Sequence, residues 1–366
     1  MTMIAMDSSE VEPVISDQAQ RKLRLAHTPT CVRDGWRTVS RASYQASVYS
    51  DSVVEVPEEM YSVETVEFLG FAAEVAWEIW KRYREQEKLQ PDEVELLEVC
   101  NDRVDQGMDA CDDTDDWDAA MQSMGITAQL RARILTPGHE NIRATQSAKE
   151  WVLATIKERY GFLFSLNTWI LHPNLSRALP VTRPPATKTA ERWANRDGRP
   201  PRHPSMHDRA LMLYKGGTMA LLAHAQPGGH ARLERIASRG TLDYSHAPAK
   251  PLYLTPQLGA ATAFASYARA RCGAEVPVGV LQVAVPKALL RVGRPISLSL
   301  FQDLAWCHRV YKTGTDGIAA AAASAGAHPL LVGPVLAISN ATLHRLVRDG
   351  GVGRRKEMEE EEEEGG

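Results

Sequence analysis

The stretch "PLYLTPQLGAATAFASY" (residues 251–267) joins a short apolar run, a Thr-Pro pair and an alanine-rich segment. The apolar run predicts a strand that ends near Tyr253. Thr255 and Pro256 then predict the start of a helix, with Thr255 as N-cap and Pro256 at the first helical position. Phe264 follows Tyr253 by eleven positions. Two aromatic side chains so placed are either packing residues or the two walls of a slot for a flat ring.

The bulk composition is that of a soluble globular protein. The chain has 366 residues, of which 44% are hydrophobic and 24% charged, and this length suffices for two domains. A net charge of −4 gives no reason to expect nucleic-acid binding, which needs concentrated positive charge. The sequence shows neither a signal peptide nor a run of roughly 20 apolar residues that would span a bilayer. We therefore expect an intracellular protein, cytoplasmic or nuclear, without membrane partners.

No metal site is predicted. The five cysteines are scattered and form no CxxC pair, which excludes the usual zinc-site and disulfide patterns. The acidic run "CDDTDDWDAAMQSMG" (residues 111–125) lacks the turn glycine and the closing glutamate of a calcium loop, so we interpret its acids as solvated groups and helix caps. His203 and His207 lie four residues apart, but in a proline-rich segment.

The first half of the chain predicts an arm followed by helices. Residues 1–56 are poor in apolar groups, so we expect a disordered N-terminal arm. Apolar side chains three and four apart predict one helix over residues 57–90, which Pro91 ends before opening a second helix. Residues 147–171 predict a third, strongly apolar helix. We therefore expect a helical domain over residues 57–178.

The second half predicts a linker, a mixed domain and a tail. Residues 179–208 carry six prolines and predict a linker. Residues 349–366 include a run of glutamates and predict an acidic disordered tail. Between them, residues 209–348 predict the following elements in order: a strand at "LMLYKGG" that stops at a Gly-Gly turn, a helix at "HARLERIASRGTLDY", the strand and helix of the opening stretch, an internal strand at "VPVGVLQVAVP", and one or two strands in "HPLLVGPVLAIS".

This order of elements resembles the ADP-ribosyltransferase fold of diphtheria-type toxins and poly-ADP-ribose polymerases. The likeness is closer to a branch of fungal proteins that carry such a domain after a helical N-terminal part. "LYKGGT" (residues 213–218) stands where the family has a strand ending in Tyr-His-Gly-Thr, and Tyr253 and Phe264 stand at the positions of its two aromatic residues. The resemblance implies an α+β fold class, in which a helical N-terminal domain precedes an ADP-ribosyltransferase-like split antiparallel β-sandwich with flanking helices.

The resemblance also implies a cofactor-binding site for NAD+. Gly216 would face the nicotinamide carboxamide, and Tyr253 and Phe264 would hold the ring by stacking and cation–π attraction. Lys215 stands where the family has His, and it would contact ribose or phosphate. Thr255 follows the first aromatic residue, as Ser or Thr does in the family.

The catalytic carboxylate is the main departure from the family pattern. The family's glutamate is expected near "ISLSLFQDLAWCHRVYK" (residues 296–312), where Gln302 and Asp303 are the nearby acceptors. Asp303 is one methylene shorter than glutamate, a displacement that costs transfer chemistry. Two hypotheses follow. One is an NAD+-binding protein that transfers ADP-ribose to a protein or other macromolecule; the other is a catalytically inactive interaction module on the same fold, which binds a protein partner.

Overall fold

The structure is a computed structural model that describes residues 34–41, 44, 53–91, 93–107, 116–171, 210–223, 225, 236, 252–286, 294–295 and 331–332. These residues form a mixture of helices and small sheets, as the α+β prediction requires. Each sheet that they form has two strands. The predicted linker and acidic tail lie outside the described residues, as do Gln302, Asp303 and, apart from Ile236, the helix predicted at residues 230–244.

Two short strands precede the helices. Strand β1 (Trp36–Ser40) pairs antiparallel with β2 (Val53–Pro57), with Trp36 opposite Pro57. Val39 and Val56 are buried in the main core. The prediction of a disordered arm over residues 1–56 is therefore wrong for β1 and for most of β2. Local apolar density is low there, but long-range packing of two valines against the helices supplies the missing burial.

The helix predicted over residues 57–90 is two helices, α1 (Val63–Leu69) and α2 (Ala73–Leu89). Gly70 separates them at a φ of 115°, and its N–H donates to the carbonyls of Val66 and Glu67. A side chain at this position would also overlap that of Leu130. Glycine adopts this left-handed conformation readily, so α1 ends at Gly70. The apolar periodicity continues into α2 regardless, and for this reason it predicts a single helix.

The described residues of the helical part contain five more helices. They are α3 (Leu96–Gln106), α4 (Trp117–Ser123), α5 (Ala128–Ile134), α6 (Glu140–Arg143) and α7 (Ala148–Leu171). Helix α2 ends before Pro91 as predicted, but the next helix begins at Leu96 and not at Pro91. Asp116 caps α4 by accepting from the Ala119 N–H at 3.0 Å, in agreement with the interpretation of the acidic run as helix caps. Among the described residues, no group of three His, Cys, Asp or Glu side chains could hold a metal ion.

The second part of the chain supplies a strand pair covered by a helix. Its elements are β3 (Ala210–Thr218), α8 (Met219–Ala223), α9 (Leu258–Cys272), β4 (Val278–Pro286), β5 (Arg294–Pro295) and β6 (Leu331–Val332). Strands β3 and β4 are antiparallel, with Tyr214 opposite Gln282, whereas β5 and β6 are parallel. The helix and the strand predicted at α9 and β4 are confirmed. The prediction of a turn at Gly216 and Gly217 is wrong, because β3 continues through both residues.

Helix α7 is the core of the helical part and also contacts α9. Trp151, Ile156 and Leu163 are buried on α7, as its periodicity predicts. Tyr267 of α9 is buried in the same core, where its ring meets that of Trp151 edge-on at 4.9 Å between centroids. Its hydroxyl donates to the carbonyl of Ile134 at 2.9 Å. The described residues before and after the predicted linker therefore share one core. No helix among them is long and apolar enough to cross a membrane.

Candidate functional site

The backbone of Gly216 points to the edge of β3 that the 252–255 segment bridges. The N–H of Tyr214 donates to the Thr255 carbonyl at 2.7 Å, and the N–H of Thr255 donates to the Tyr214 carbonyl at 2.9 Å. In an antiparallel pair, backbone groups alternate between the two edges of a strand, so the N–H and C=O of Gly216 point to the same edge as those of Tyr214. Continuing the register places Gly216 opposite Tyr253. Among the described residues, the bridge at Tyr214 and Thr255 is not continued by one between Gly216 and Tyr253.

The other side of Gly216 is filled by α9. A Cβ at this position would lie 1.8 Å from the carbonyl oxygen of Ala261 and 2.7 Å from the N of Ala265. The absence of a side chain therefore lets the helix backbone rest directly on the strand backbone. At Gly217, by contrast, the nearest atom to an added Cβ is Cδ2 of Leu221, at an ordinary contact distance of 3.6 Å.

Tyr253 and Thr255 lie on the segment that bridges β3. Tyr253 is half-buried, and the residues around it pair with β3 at Thr255 alone among the described residues, so the predicted strand at "PLYL" is reduced to a single bridge. The Oγ1 of Thr255 accepts from the Gln257 N–H at 3.1 Å. Helix α9 begins at Leu258 with Gln257 as N-cap, so the prediction of Thr255 as N-cap and Pro256 as first helical residue is wrong. Thr255 instead forms a short turn just before the helix.

Phe264 lies on the side of α9 that turns towards the helical part. Its ring is partly buried and packs against the main core. Helical spacing places it on one face with Tyr267 and Arg271, both of which are buried. These contacts favour the interpretation of Phe264 as a packing residue, and part of its ring remains exposed.

The side chain of Lys215 lies on the face of β3 that α9 does not cover. Successive side chains of a strand alternate between its two faces, so Lys215 lies on the face of β3 opposite the one that α9 covers at Gly216. Burial lowers the pKa of Lys215 below its ordinary value of 10.5, while the carboxylate of Glu158 on α7 acts in the opposite direction. The strand therefore brings Lys215 next to Gly216 in sequence but not onto the same surface.

A buried polar network beside the strand pair was not predicted from the sequence. Arg271 of α9 is 4% exposed, and its Nη2 lies 2.5 Å from Oε1 of Glu158, which is 9% exposed. The Nη1 of Arg271 also donates to Oγ1 of Thr155 at 2.8 Å. Burial raises the pKa of the adjacent Cys272 thiol to about 12, so this cysteine is a poor nucleophile at neutral pH.

A second buried arginine, Arg159 of α7, holds the end of α9 and the chain just beyond it. The Nε of Arg159 donates to the Phe68 carbonyl at 2.7 Å, and its Nη1 donates to the Cys272 carbonyl. The same Nη1 lies 3.2 Å from the carboxylate of Glu275. In the sequence, both buried arginines are visible only as charged residues within largely apolar stretches of α7 and α9. In sequence such charges are typical of a solvated helix face.

Comparison with protein-family models, with curated proteins and with solved structures finds no match to this chain. The site is therefore interpreted from its own residues. The structure pairs Thr255 with Tyr214, and continuing this register places Tyr253 at the edge of β3 to which the backbone of Gly216 points. It places Phe264 on the covering helix and Lys215 on the opposite strand face. The two predicted catalytic residues, Gln302 and Asp303, lie outside the described residues.

We predict that Gly216→Ala destabilises the fold much more than Gly217→Ala. The added methyl group at residue 216 collides with the α9 backbone, which cannot rotate out of the way, and overpacking of this kind costs about 1–3 kcal/mol or more. At residue 217 the methyl group meets only the ends of the Leu221 and Leu222 side chains, at 3.6 and 3.9 Å. Urea unfolding followed by circular dichroism measures both free energies. Equal stability of the two variants would contradict the close approach of α9 to Gly216.

We predict that Lys215→Met stabilises the protein at neutral pH. Because the pKa of Lys215 is lowered in the folded chain, the folded state binds fewer protons than the unfolded state. The charged Lys215 therefore lowers the unfolding free energy of the wild type by its full amount below the folded-state pKa, and this loss disappears as the pH rises towards 10.5. The gain in unfolding free energy over wild type should therefore shrink across this range. Lys81→Met, at an exposed position, is the control for loss of one positive charge. A destabilised Lys215→Met variant at every pH would show instead that Glu158 stabilises the charge.

Proposed function

We propose that this protein binds NAD+ through an ADP-ribosyltransferase-like domain within residues 209–348. The order of the described elements supports the proposal: β3 carries Tyr-Lys-Gly-Gly, the 252–255 segment bridges it, α9 crosses it, and β4 pairs with it. A split antiparallel β-sandwich over this range is part of the proposal. The described two-stranded sheet would form one portion of it.

The observation that carries the proposal is the backbone edge of Gly216. A carboxamide presents an N–H donor and a C=O acceptor side by side, as a strand residue does. The N–H and C=O of Gly216 point to the edge of β3 that Thr255 bridges at Tyr214, and continuing that register places Tyr253 at the same edge. Nicotinamide would therefore pair with Gly216 in the way a further strand residue would.

Two aromatic side chains are available for the nicotinamide ring. Tyr253 is half-buried at the same edge as Gly216, and Phe264 keeps part of its surface exposed on α9. Each stacking or cation–π contact contributes roughly 0.5–2 kcal/mol. Lys215 lies on the opposite strand face, so the proposal depends on Gly216 and Tyr253 rather than on a phosphate contact from Lys215.

The reaction we propose is ADP-ribosyl transfer to a macromolecule. NAD+ supplies a glycosidic bond whose cleavage leaves positive charge on the ribose, and a nearby carboxylate stabilises such charge. Asp303, with Gln302 beside it, is the candidate for this role. The alternative function is a catalytically inactive interaction module on the same fold. The sequence favours this alternative, because no glutamate occurs between Glu275 and Glu357, where the family has its catalytic glutamate.

We predict that the full-length chain binds NAD+ and that Tyr253→Ala weakens this binding about 2- to 30-fold, which corresponds to the loss of one aromatic contact of roughly 0.5–2 kcal/mol. Isothermal titration calorimetry measures both dissociation constants. The full chain is needed because α9 shares its core with the helical part. Trp77→Ala, at an exposed position of α2, is the control and should bind NAD+ as wild type does.

The absence of binding at millimolar NAD+, or equal affinities of wild type and Tyr253→Ala, would overturn the binding proposal. Transfer is tested separately with labelled NAD+. Incorporation of label that is lost in Asp303→Ala supports the enzyme. Binding without incorporation in the wild type supports the inactive module.

A further inference from the structure

One face of α2 combines an exposed tryptophan with three positive charges. Trp77, Lys81, Arg84 and Lys88 are spaced by four, three and four residues, which places them in one row along the helix. All four are exposed, and Trp77 is 60% exposed. We refer to these four residues as the α2 basic face. The buried residues Ala76, Ile79 and Tyr83 hold the other side of α2 against the core.

The charges of the α2 basic face form few close ion pairs, and the exposed Glu78 and Glu85 lie three and four residues from Lys81 on the adjacent side of α2. Among the described residues, Lys81 and Lys88 form no ion pair, and Arg84 reaches Glu87 only at 3.8 Å on the surface. Such exposed pairs contribute little. Arg84 also covers the ring of Trp80, at 5.5 Å from its centroid, so the aromatic surface continues beside Trp77. This combination suits a ligand that brings several negative charges in a row.

The same chain contains such a ligand. Residues 357–364 read "EMEEEEEE" and carry seven glutamates. They follow the last described residue, Val332, after 24 intervening residues, which can extend over roughly 80 Å. That length exceeds the dimensions of a domain of this size, so residues 357–364 can reach any part of its surface.

We propose that residues 357–364 bind along the α2 basic face of the same chain, with glutamates paired to Lys81, Arg84 and Lys88. Tethering gives the segment an effective concentration in the millimolar range, so even weak pairing occupies the face. A nucleic acid, an anionic membrane or a second chain would have to displace the segment first. The contact is electrostatic and is screened by salt.

Carbodiimide cross-linking of the full chain tests the contact. This reagent couples a carboxylate directly to an amine, so it joins only groups in contact. We expect links from residues 357–364 to Lys81 or Lys88, detected by mass spectrometry after digestion. In a mixture of unlabelled and heavy-isotope chains, the links should join residues of the same chain. They should disappear at about 1 M salt, where the screening length is about 3 Å.

Two charge-reversal variants test whether the links depend on the α2 basic face itself or only on the net charge of the protein. Arg84→Glu should lower the yield of links to Lys81 and Lys88 about fivefold, because repulsion replaces pairing. Arg82→Glu changes the net charge equally, but Arg82 lies off this face and its Nη2 contacts Asp102 at 3.3 Å, so its yield should match wild type. The proposal is overturned if Lys149 and Lys157 of α7 are linked as often as Lys81 and Lys88. It is also overturned by links between different chains or by the absence of links.

Discussion

The buried ion pair between Arg271 and Glu158 is the interaction on which the candidate site depends. It joins α9 to α7 with both side chains almost fully removed from water. Removing two charged groups from water is unfavourable. The attraction between the two groups and further hydrogen bonds, such as that from Arg271 to Thr155, offset this desolvation free energy. Loss of one partner leaves the other charge uncompensated, at a cost of about 3–5 kcal/mol. The pair therefore favours one specific position of α9 over all others.

The position of α9 in turn determines what β3 presents. The helix backbone rests on Gly216, and the segment just before the helix pairs with Tyr214 through Thr255. A shift of α9 would change the edge of β3 that the 252–255 segment bridges. The helical part is thus a support for the candidate site, because its longest helix holds the element that shapes the strand edge. Arg159 adds to this support by bonding the carbonyl that ends α9.

Elements with strong local patterns could be predicted from the sequence. The long apolar helix α7, the alanine-rich α9 and the alternating strand β4 follow from periodicity, and the family resemblance predicts that a carboxamide approaches Gly216. The approaching group in the structure is the α9 backbone, which no local pattern reveals. The break at Gly70 was missed because its partner Leu130 is distant in sequence. Strand β1 was missed because its burial comes from the helical core, and Arg271 because a buried charge has the same sequence appearance as a solvated one.

Native-state hydrogen exchange measures most directly whether the Arg271–Glu158 pair unites these elements. The slowest amides of α7, α9 and β3 should share one opening free energy, since all three elements open together. Glu158→Gln should lower that free energy in all three by a similar amount, on the order of 3–5 kcal/mol. Loss of protection in α9 and β3, with α7 unchanged, would contradict the account, because the strand pair would then open independently of the helical part.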